Sequence, residues 1–349
     1  MKRLSVIIPV YNVEPYIEKC LRSLGNQDIP ENDYEIICIN DGSPDNSLKI
    51  IRELQKEYNN IIVIDQQNQG VSRARNNGMD IANGRYLLFV DPDDSVEPAV
   101  FKRVIERAEE TEAEISFLGF TVLDKVGKVK TRVLNERNSS GVYLGTDAYS
   151  LARENGRTDP DRIWAVLVER EFLNRYGLRF LEDVPYLEDG ELITRILCLA
   201  DRCIFDGRSF YIRTTRPGSA TNSKLFNSSK AVRGFLNAAV NLKQFQGNND
   251  LERRQYLFLN QPICKFVALT IDSLRKPFVL KELLRTTDDL DLAGLKRLDL
   301  KTVNREYSIL GWTYNRSVFL LVMYQFFLSG VRSLVYRLIE ILSGSGKVI

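Results

Sequence analysis

The sequence predicts an α/β fold, a mostly parallel sheet flanked by helices, followed by a helical C-terminal region. Three observations carry this. Runs of branched and aromatic residues recur through the first 120 positions, each followed by a stretch with helical spacing. Alternation at this pace builds parallel strands joined by crossover helices. From about Leu225 the strand-like runs stop and helical stretches take over. The 349 residues therefore divide into a catalytic-sized domain, 1–224, and a helical accessory region, 225–349. The first domain divides again near residue 120, into 1–120 and 121–224.

Leu4–Ile8 is a strand buried on both faces, and Pro9 is expected to end it. Tyr16, Ile17, Cys20, Leu21 and Leu24 give a helix over Glu14–Leu24, stopped by Gly25. Tyr34–Asn40 is the second strand, and after it Pro44 suits the first position of a helix capped by Ser43. Ile61–Ile64 is the third strand and Val71–Asn83 the next helix. Tyr86–Val90 is the fourth strand, Pro98–Glu110 a helix and Glu114–Phe120 another strand. Thr121–Leu134 reads as a hairpin turning near Gly127. A helix at Thr146–Arg153, a helix after Glu191 and a strand over Arg202–Arg213 complete the domain. The accessory helices are expected at Ala231–Phe245, Arg253–Leu274, Val279–Leu284 and Val318–Leu342.

Composition removes several chemistries. The formal net charge of +2 gives no global argument for a nucleic-acid partner. The chain has no histidine, which excludes a histidine base, a Ser-His-Asp or Cys-His centre, and histidine metal ligands. Acid–base work falls to Asp, Glu, Lys, Tyr or Cys. The five cysteines include no Cys-x-x-Cys pair and sit in apolar stretches, as expected of buried thiols in a reducing compartment. The N-terminal run lacks the long apolar segment and cleavage site of a signal peptide. These features point to the cytoplasm. Ser317–Val331 is uncharged but shorter than the ~20 residues of a spanning helix. Packing on the domain is its first reading. An interfacial helix, placed by Lys243, Arg316, Arg332 and Arg337 against anionic lipid, is the second.

Polar groups gather where such a sheet binds ligands, beyond the carboxyl ends of its strands. Tyr11 follows the first strand, Asp41 ends the second, and Asp91, Asp93 and Asp94 end the fourth. Three carboxylates in four positions repel one another unless a cation sits there. Hard divalent cations take one or two carboxylates plus substrate phosphates. The plain alternative is a solvated turn in which Asp94 or Ser95 caps the next helix. A second acidic group, Glu188-Asp189, stands at a helix start, where capping alone is a sufficient reason and a rigidly held base is another. There is no Gly-x-Gly-x-x-Gly after the first strand, which weakens a dinucleotide-binding reading.

Together these stretches resemble glycosyltransferase family 2, of the GT-A fold. The matching pieces are Ser5–Asn12, Asn40–Asp45, Asn68–Gly78, Ala82–Asp94 and the later Glu188-Asp189. The resemblance covers residues 1 to about 220 and rests on five pieces in order. It implies an inverting transfer of a sugar from a nucleotide-diphosphate donor, a UDP-sugar by preference, to a hydroxyl of a saccharide or lipid-linked saccharide. It also implies Mn2+ or Mg2+ and a place in cell-surface polysaccharide or glycan assembly. Pro9, Tyr11, Asn12 and Asp41 would line the nucleoside pocket, with Asn68, Gly70 and Arg75 in the segment that closes it. Asp91 would lie near the ribose, Asp93 on the metal, and Asp94 as a second ligand or its outer partner. Asp189 would be the general base, with Glu188 beside it. Apart from the resemblance, Arg213 or Arg216 is a candidate to clamp the diphosphate, since guanidinium suits phosphate bidentately, and a surface salt bridge is the equal alternative. Where some relatives add a histidine to the metal, this chain has none. Two other readings compete: a non-catalytic subunit that binds a nucleotide-sugar or carbohydrate, and a nucleotidyltransferase. The latter lacks its usual Gly-rich loop here, and the presence of both Asp93 and Asp189 argues against the former.

Overall fold

The computed structural model describes residues 2–156, 159–215, 228–248, 250–274, 280–324 and residue 327. Two compact units make up the chain, Met1–Ser223 and Lys224–Ile349.

The first unit is built on a nine-stranded sheet in the order β3-β2-β1-β4-β8-β6-β9-β5, with β7 added to β6. Its first half is β1 (Leu4–Val10), α1 (Glu14–Gly25), β2 (Tyr34–Asp41), α2 (Ser47–Leu54), β3 (Ile61–Gln66), α3 (Val71–Ile81) and β4 (Tyr86–Phe89). Every residue of β1, β2 and β4 is buried, because helices cover both faces. α1 turns Ile17, Cys20, Leu21 and Leu24 inward, a stripe at three- and four-residue spacing. All pairings among β3, β2, β1 and β4 are parallel. The carboxyl ends of these strands therefore share one edge.

Pro9 does not end β1, as the sequence had suggested, but lies inside it opposite Ile39. The last pair between β1 and β4 is Ile7 with Phe89. Beyond it one flank of β1 has no neighbouring strand there, so a missing N–H costs the ladder nothing.

The second half is β5 (Ser95–Val96), α4 (Phe101–Glu110), β6 (Ile115–Leu123), β7 (Val129–Val133), α5 (Gly145–Gly156), β8 (Val166–Glu169), α6 (Arg170–Arg175), α7 (Glu188–Leu199) and β9 (Cys203–Thr214). Here the sheet is mixed: β8 runs antiparallel to both β4 and β6, while β9 is parallel to β6 and antiparallel to β5. The reversal has a consequence for the site. β8 runs antiparallel to β4, so its start lies by the end of β4, and there Trp164, ahead of β8, makes an isolated parallel bridge to Phe89. The hairpin of β6 and β7 turns at Gly127, whose φ of 81° is the left-handed conformation glycine tolerates. Ser95 caps no helix. It belongs to β5, and α4 starts six residues later at Phe101 instead of at Pro98.

The second unit consists of α8 (Ser229–Asn248), α9 (Arg253–Ser273), α10 (Leu280–Leu290), a π-helical turn at Asp291–Leu295 and α11 (Arg305–Arg316). α10 is longer than the Val279–Leu284 expected, and α11 was not anticipated. Besides Leu310 it buries only Gly311 and Thr313, small or polar residues that give no apolar stripe in the sequence. Residues 318–324 are helical, and the rest of the expected Val318–Leu342 helix, apart from residue 327, lies outside the described residues. Among the described residues no helix is long and apolar enough to cross a membrane. The five cysteines are free and buried.

Candidate active site

Four segments meet at the carboxyl edge of the parallel strands. The first two are the loops after β1 and β2. Tyr11 is half exposed and Asn12 has φ of 54°, a left-handed turn, with its N–H donating to Ser43 Oγ at 2.8 Å. Ser43 in turn donates to Asp45 Oδ1 at 2.6 Å, and Asp45 Oδ2 accepts from the Glu14 N–H at 2.8 Å. Partial burial pushes the Asp45 carboxyl up, but hydrogen bonds from Ser43, Ser47 and the Glu14 amide outweigh it and hold the group at about 2. The two loops are thus fastened by an ionised carboxylate.

Asp41 fastens the third segment. It is 3% exposed. Its Oδ1 accepts from the Gln69 N–H and from Gln66 Nε2, each at 2.8 Å, and its Oδ2 from the Gly70 N–H at 2.8 Å. Asn68 Nδ2 donates to the Asp41 carbonyl at 2.9 Å. Gly70, at φ of 90°, needs glycine for this turn. The sequence placed Asp41, Asn68 and Gly70 in one donor pocket. The structure brings them together, with Asp41 as the post on which the loop is hung.

The fourth segment is the Asp91–Asp94 turn. The Asp94 N–H donates to the Asp91 carbonyl at 3.0 Å. Asp94 is buried, so the solvated-turn alternative does not describe it. Its Oδ2 accepts from Tyr211 Oη at 2.9 Å and its Oδ1 from the Thr214 N–H at 2.7 Å, which hooks the turn onto β9. Burial, followed by the charges of Asp91 and Asp93, pushes its carboxyl up to about 8. Asp91 and Asp93 are partly exposed at the mouth of the site.

Opposite them stands Glu188-Asp189 at the start of α7. The two preceding residues, Tyr186 and Leu187, both adopt left-handed φ, 64° and 60°. Bulky residues there cost about 1–3 kcal/mol each and persist only where surrounding contacts enforce them. Gly190 admits Asp161 closely: a Cβ on it would lie 3.1 Å from Asp161 Oδ1.

Arg75, on α3, joins the two acidic groups. Its Nη2 pairs with Asp91 Oδ1 at 3.2 Å, and its Nη1 with Glu188 Oε1 at 2.9 Å and Asp189 Oδ1 at 2.8 Å. The guanidinium also stacks over Phe180, 5.1 Å from the ring centre. Its side chain is 5% exposed, which makes it the buried cation of a cluster that is otherwise acidic. Burial pushes both Asp189 and Asp91 up, Arg75 opposes this in each, and nearby carboxylates add to the rise. Both stand at about 6. The sequence placed Arg75 only in the segment closing the donor pocket. What it missed is that Arg75 ties the candidate base to the Asp-x-Asp turn. The signal was present: an arginine between Ala74 and Asn76, on a helix face that also buries Gly78 and Met79, requires acidic partners. The sequence does not say which ones.

The donor set suits a hard divalent cation. Asp91, Glu188 and Asp189 share one guanidinium, Asp93 and Asp94 add two more carboxylates to the turn, and mutual repulsion is part of what raises Asp91 and Asp94. Among the described residues no three His, Cys, Asp or Glu side chains form a ready cage. That is the situation of Mg2+ and related ions, which take a carboxylate or two and complete their shell with phosphate and water. Arg213 lies over the Trp164 ring at 5.5 Å, and Arg216 falls outside the described residues.

Similarity to known proteins agrees with this geometry. Residues 5–164 match the sequence model of the family described as glycosyl transferase family 2. A β-1,3-glucosyltransferase of Campylobacter jejuni, named for GalNAc(5)-diNAcBac-PP-undecaprenol, is 34% identical over 245 residues, 68% of this chain and 74% of that protein.

The chain belongs to glycosyltransferase family 2.

Other family 2 relatives include the Bacillus subtilis protein named uncharacterized glycosyltransferase EpsJ, 35% identical over 62% of each chain. The B. subtilis minor teichoic acid biosynthesis protein GgaB is 33% identical over 68% of this chain. The chain spans 62% of the length of EpsJ and 25% of that of GgaB. Among solved structures, residues 1–349 of Staphylococcus aureus TarS superpose with a TM-score of 0.62 at 20% identity, over 83% of this chain and 80% of that one. This shows the GT-A-like fold of the family, with a helical region after the sheet.

Proposed function

We propose that this family 2 chain transfers a sugar from a nucleotide-diphosphate donor, a UDP-sugar, to a hydroxyl of a saccharide acceptor, with inversion, in the assembly of a cell-surface polysaccharide. The observation that carries the reading is the Arg75 fork, which holds a base candidate and the Asp-x-Asp turn across one cleft. Family membership supports the reaction class. The Campylobacter and GgaB names support a saccharide or lipid-linked acceptor at the cell surface. The TarS fold is known in complex with UDP-GlcNAc, which supports a UDP-sugar donor.

The residues act as follows in this reading. Asp41 holds the Gln69-Gly70 backbone so that this loop, with Pro9, Tyr11 and Asn12, encloses the nucleoside. Asp93 with Asp91 would hold a divalent cation, which would stabilise the charge that grows on the departing diphosphate. Asp94 keeps the turn in place through Tyr211 and Thr214. Asp189 takes the proton of the acceptor hydroxyl. Its Oδ1 is occupied by Arg75, whereas Oδ2 has only a long 3.4 Å contact from the Ile163 N–H. The proton therefore goes to Oδ2. The acceptor oxygen, freed of its proton by this one base, attacks the anomeric carbon opposite the departing diphosphate, and a single displacement inverts that centre, as in inverting glycosidases, where water takes the acceptor's place.

The enzyme would work at the inner membrane face. In the second unit Trp312, Phe319, Met323 and Phe327 are at least half exposed, next to Arg316, as suits contact with an anionic lipid surface. Release of UDP from a panel of UDP-sugars, with Mn2+ and saccharide acceptors, tests the function. Donor-independent inertness of the folded protein across the panel would leave a binding role instead.

A further inference from the structure

Arg162 is a buried cation without an acid. It is 9% exposed, and its Nε is buried with no hydrogen-bond partner. Among the described residues no carboxylate pairs with it. Its guanidinium lies instead over two aromatic faces, 4.5 Å from the centre of Phe120 and 5.4 Å from that of Trp164. Arg213 stacks on Trp164 as well, at 5.5 Å. Burial pushes the Arg162 group down to about 10, Asp161 opposes this, and the Arg213 charge pushes it further down.

Two guanidiniums brought to one indole repel each other. Cation–π contact offsets only part of what a buried, unpaired charge costs. An arginine held this way, with donors left over, is suited to an anion that arrives from outside.

Its surroundings are those of the reaction. Trp164 stacks on Tyr211 at 5.0 Å, and Tyr211 donates to Asp94. The next residue in the chain, Ile163, donates its N–H to Asp189, and the preceding Asp161 packs on Gly190. Through Trp164 and its two chain neighbours, Arg162 is thus linked to both the acidic turn and the proposed base.

We infer that Arg162 and Arg213, on either side of the Trp164 indole, form a subsite for a phosphate group beside the acidic turn. The phosphate is either the diphosphate of the donor or a phosphate carried by the acceptor. The inference deepens the transferase reading, and its binding test needs no turnover.

Trp164 and Trp312 are the two tryptophans of the chain. In a Trp312→Phe background the emission of Trp164 reports on the subsite alone. Inorganic phosphate, pyrophosphate and UDP are titrated at constant ionic strength. A saturable change is expected with phosphate or pyrophosphate. Arg162→Met should weaken it about tenfold or more, the size of a lost charge-assisted hydrogen bond, and Arg162→Lys should weaken it less. Arg213→Met, on the more exposed side, gives the same test if Arg162→Met does not fold. A matching loss of UDP affinity assigns the anion to the donor. Intact UDP affinity with lost phosphate binding assigns it to the acceptor. Folded Arg162 and Arg213 variants that bind all three probes as the parent does would overturn the subsite and leave the transferase reading standing. Phosphate binding that depends on Arg162, in a protein that binds no UDP, would sink the transferase reading alone.

Discussion

Arg75 and Asp189 are joined by a 2.8 Å ion pair across 114 positions of sequence. The same guanidinium reaches Asp91, so one side chain sets the spacing between the base candidate and the Asp91–Asp94 turn. Removing it should have two effects. Breaking a buried pair costs roughly 3–5 kcal/mol, less whatever the freed carboxylates recover by taking up protons. For a unit of this size that lowers Tm by roughly 10 °C. Arg75→Met should also raise the pH at which turnover reaches half its maximum, because Asp189 loses the charge that favours its ionised form. A thermal scan and a pH–rate profile check both. A folded variant with an unmoved profile would separate Arg75 from the base.

Asp41→Ala should act on the donor. Both carboxylate oxygens accept from the Gln66–Gly70 segment. Loss of the post frees the loop proposed to enclose the nucleoside. The donor KM should rise about tenfold or more with a smaller fall in kcat, the sign of lost uniform binding. A fall in kcat with donor affinity intact would contradict it.

Asp93→Ala should weaken metal-dependent UDP binding. Asp94 is held by Tyr211 and Thr214, so Asp93 and Asp91 remain as the turn's partly exposed carboxylates. Calorimetry of UDP binding with and without Mn2+ should show the metal's contribution nearly gone in the variant. EDTA should reproduce the loss in the parent. Unchanged Mn2+-dependent affinity would remove Asp93 from the metal site.

The exposed side chains Trp312, Phe319 and Met323 should bind a membrane surface without crossing it. Lipid vesicles with anionic headgroups should sediment the protein, and Phe319→Ser with Met323→Ser should reduce this several-fold. Salt should weaken binding because Arg316 contributes electrostatically. Equal binding to neutral vesicles, insensitive to both changes, would count against the face.

How much of this was legible beforehand depends on the range of the physics involved. β1, β2 and β4 were readable because burial on both faces leaves an unbroken apolar run. The acidic turn and Glu188-Asp189 were readable because each is contiguous. The Arg75 fork was not, since nothing local to Arg75 names a partner more than a hundred residues away. Nor was the role of Asp94, which depends on the phenol of Tyr211 reaching it from β9. The antiparallel entry of β8 was hidden for a related reason. A four-residue buried strand carries no mark of its direction, and only the pairing of Leu88 with Leu167 reveals it. α11 escaped because Gly311 and Thr313 are buried without being apolar.

The last prediction concerns Asp189 and pH. Burial raises its carboxyl, Arg75 opposes the rise, and Glu188 adds to it, leaving the group at about 6. A base must be ionised, so turnover should fall as pH drops through about 6. Stability runs the other way. A carboxylate whose folded pKa lies above its unfolded value contributes stability that is present below the unfolded pKa and is lost as pH rises through the folded one. Asp91 and Asp189, both near 6, therefore stabilise the fold on the acid side. Loss of activity between pH 6 and about 4 is then protonation of Asp189 and Asp91 and not unfolding, and circular dichroism should show the fold intact while turnover disappears and returns on neutralisation. Asp189→Asn keeps the shape and removes the basic oxygen. General-base catalysis contributes about 100- to 10,000-fold, so kcat should fall by that range while UDP affinity survives. The residual turnover of the variant should depend less steeply on pH near 6, since Asp91 alone is left to titrate there. If Asp189→Asn stays active and Glu188→Gln does not, the base is Glu188, whose Oε1 meets the same Arg75 nitrogen. If both remain active with the acid limb unmoved, neither carboxylate takes the proton.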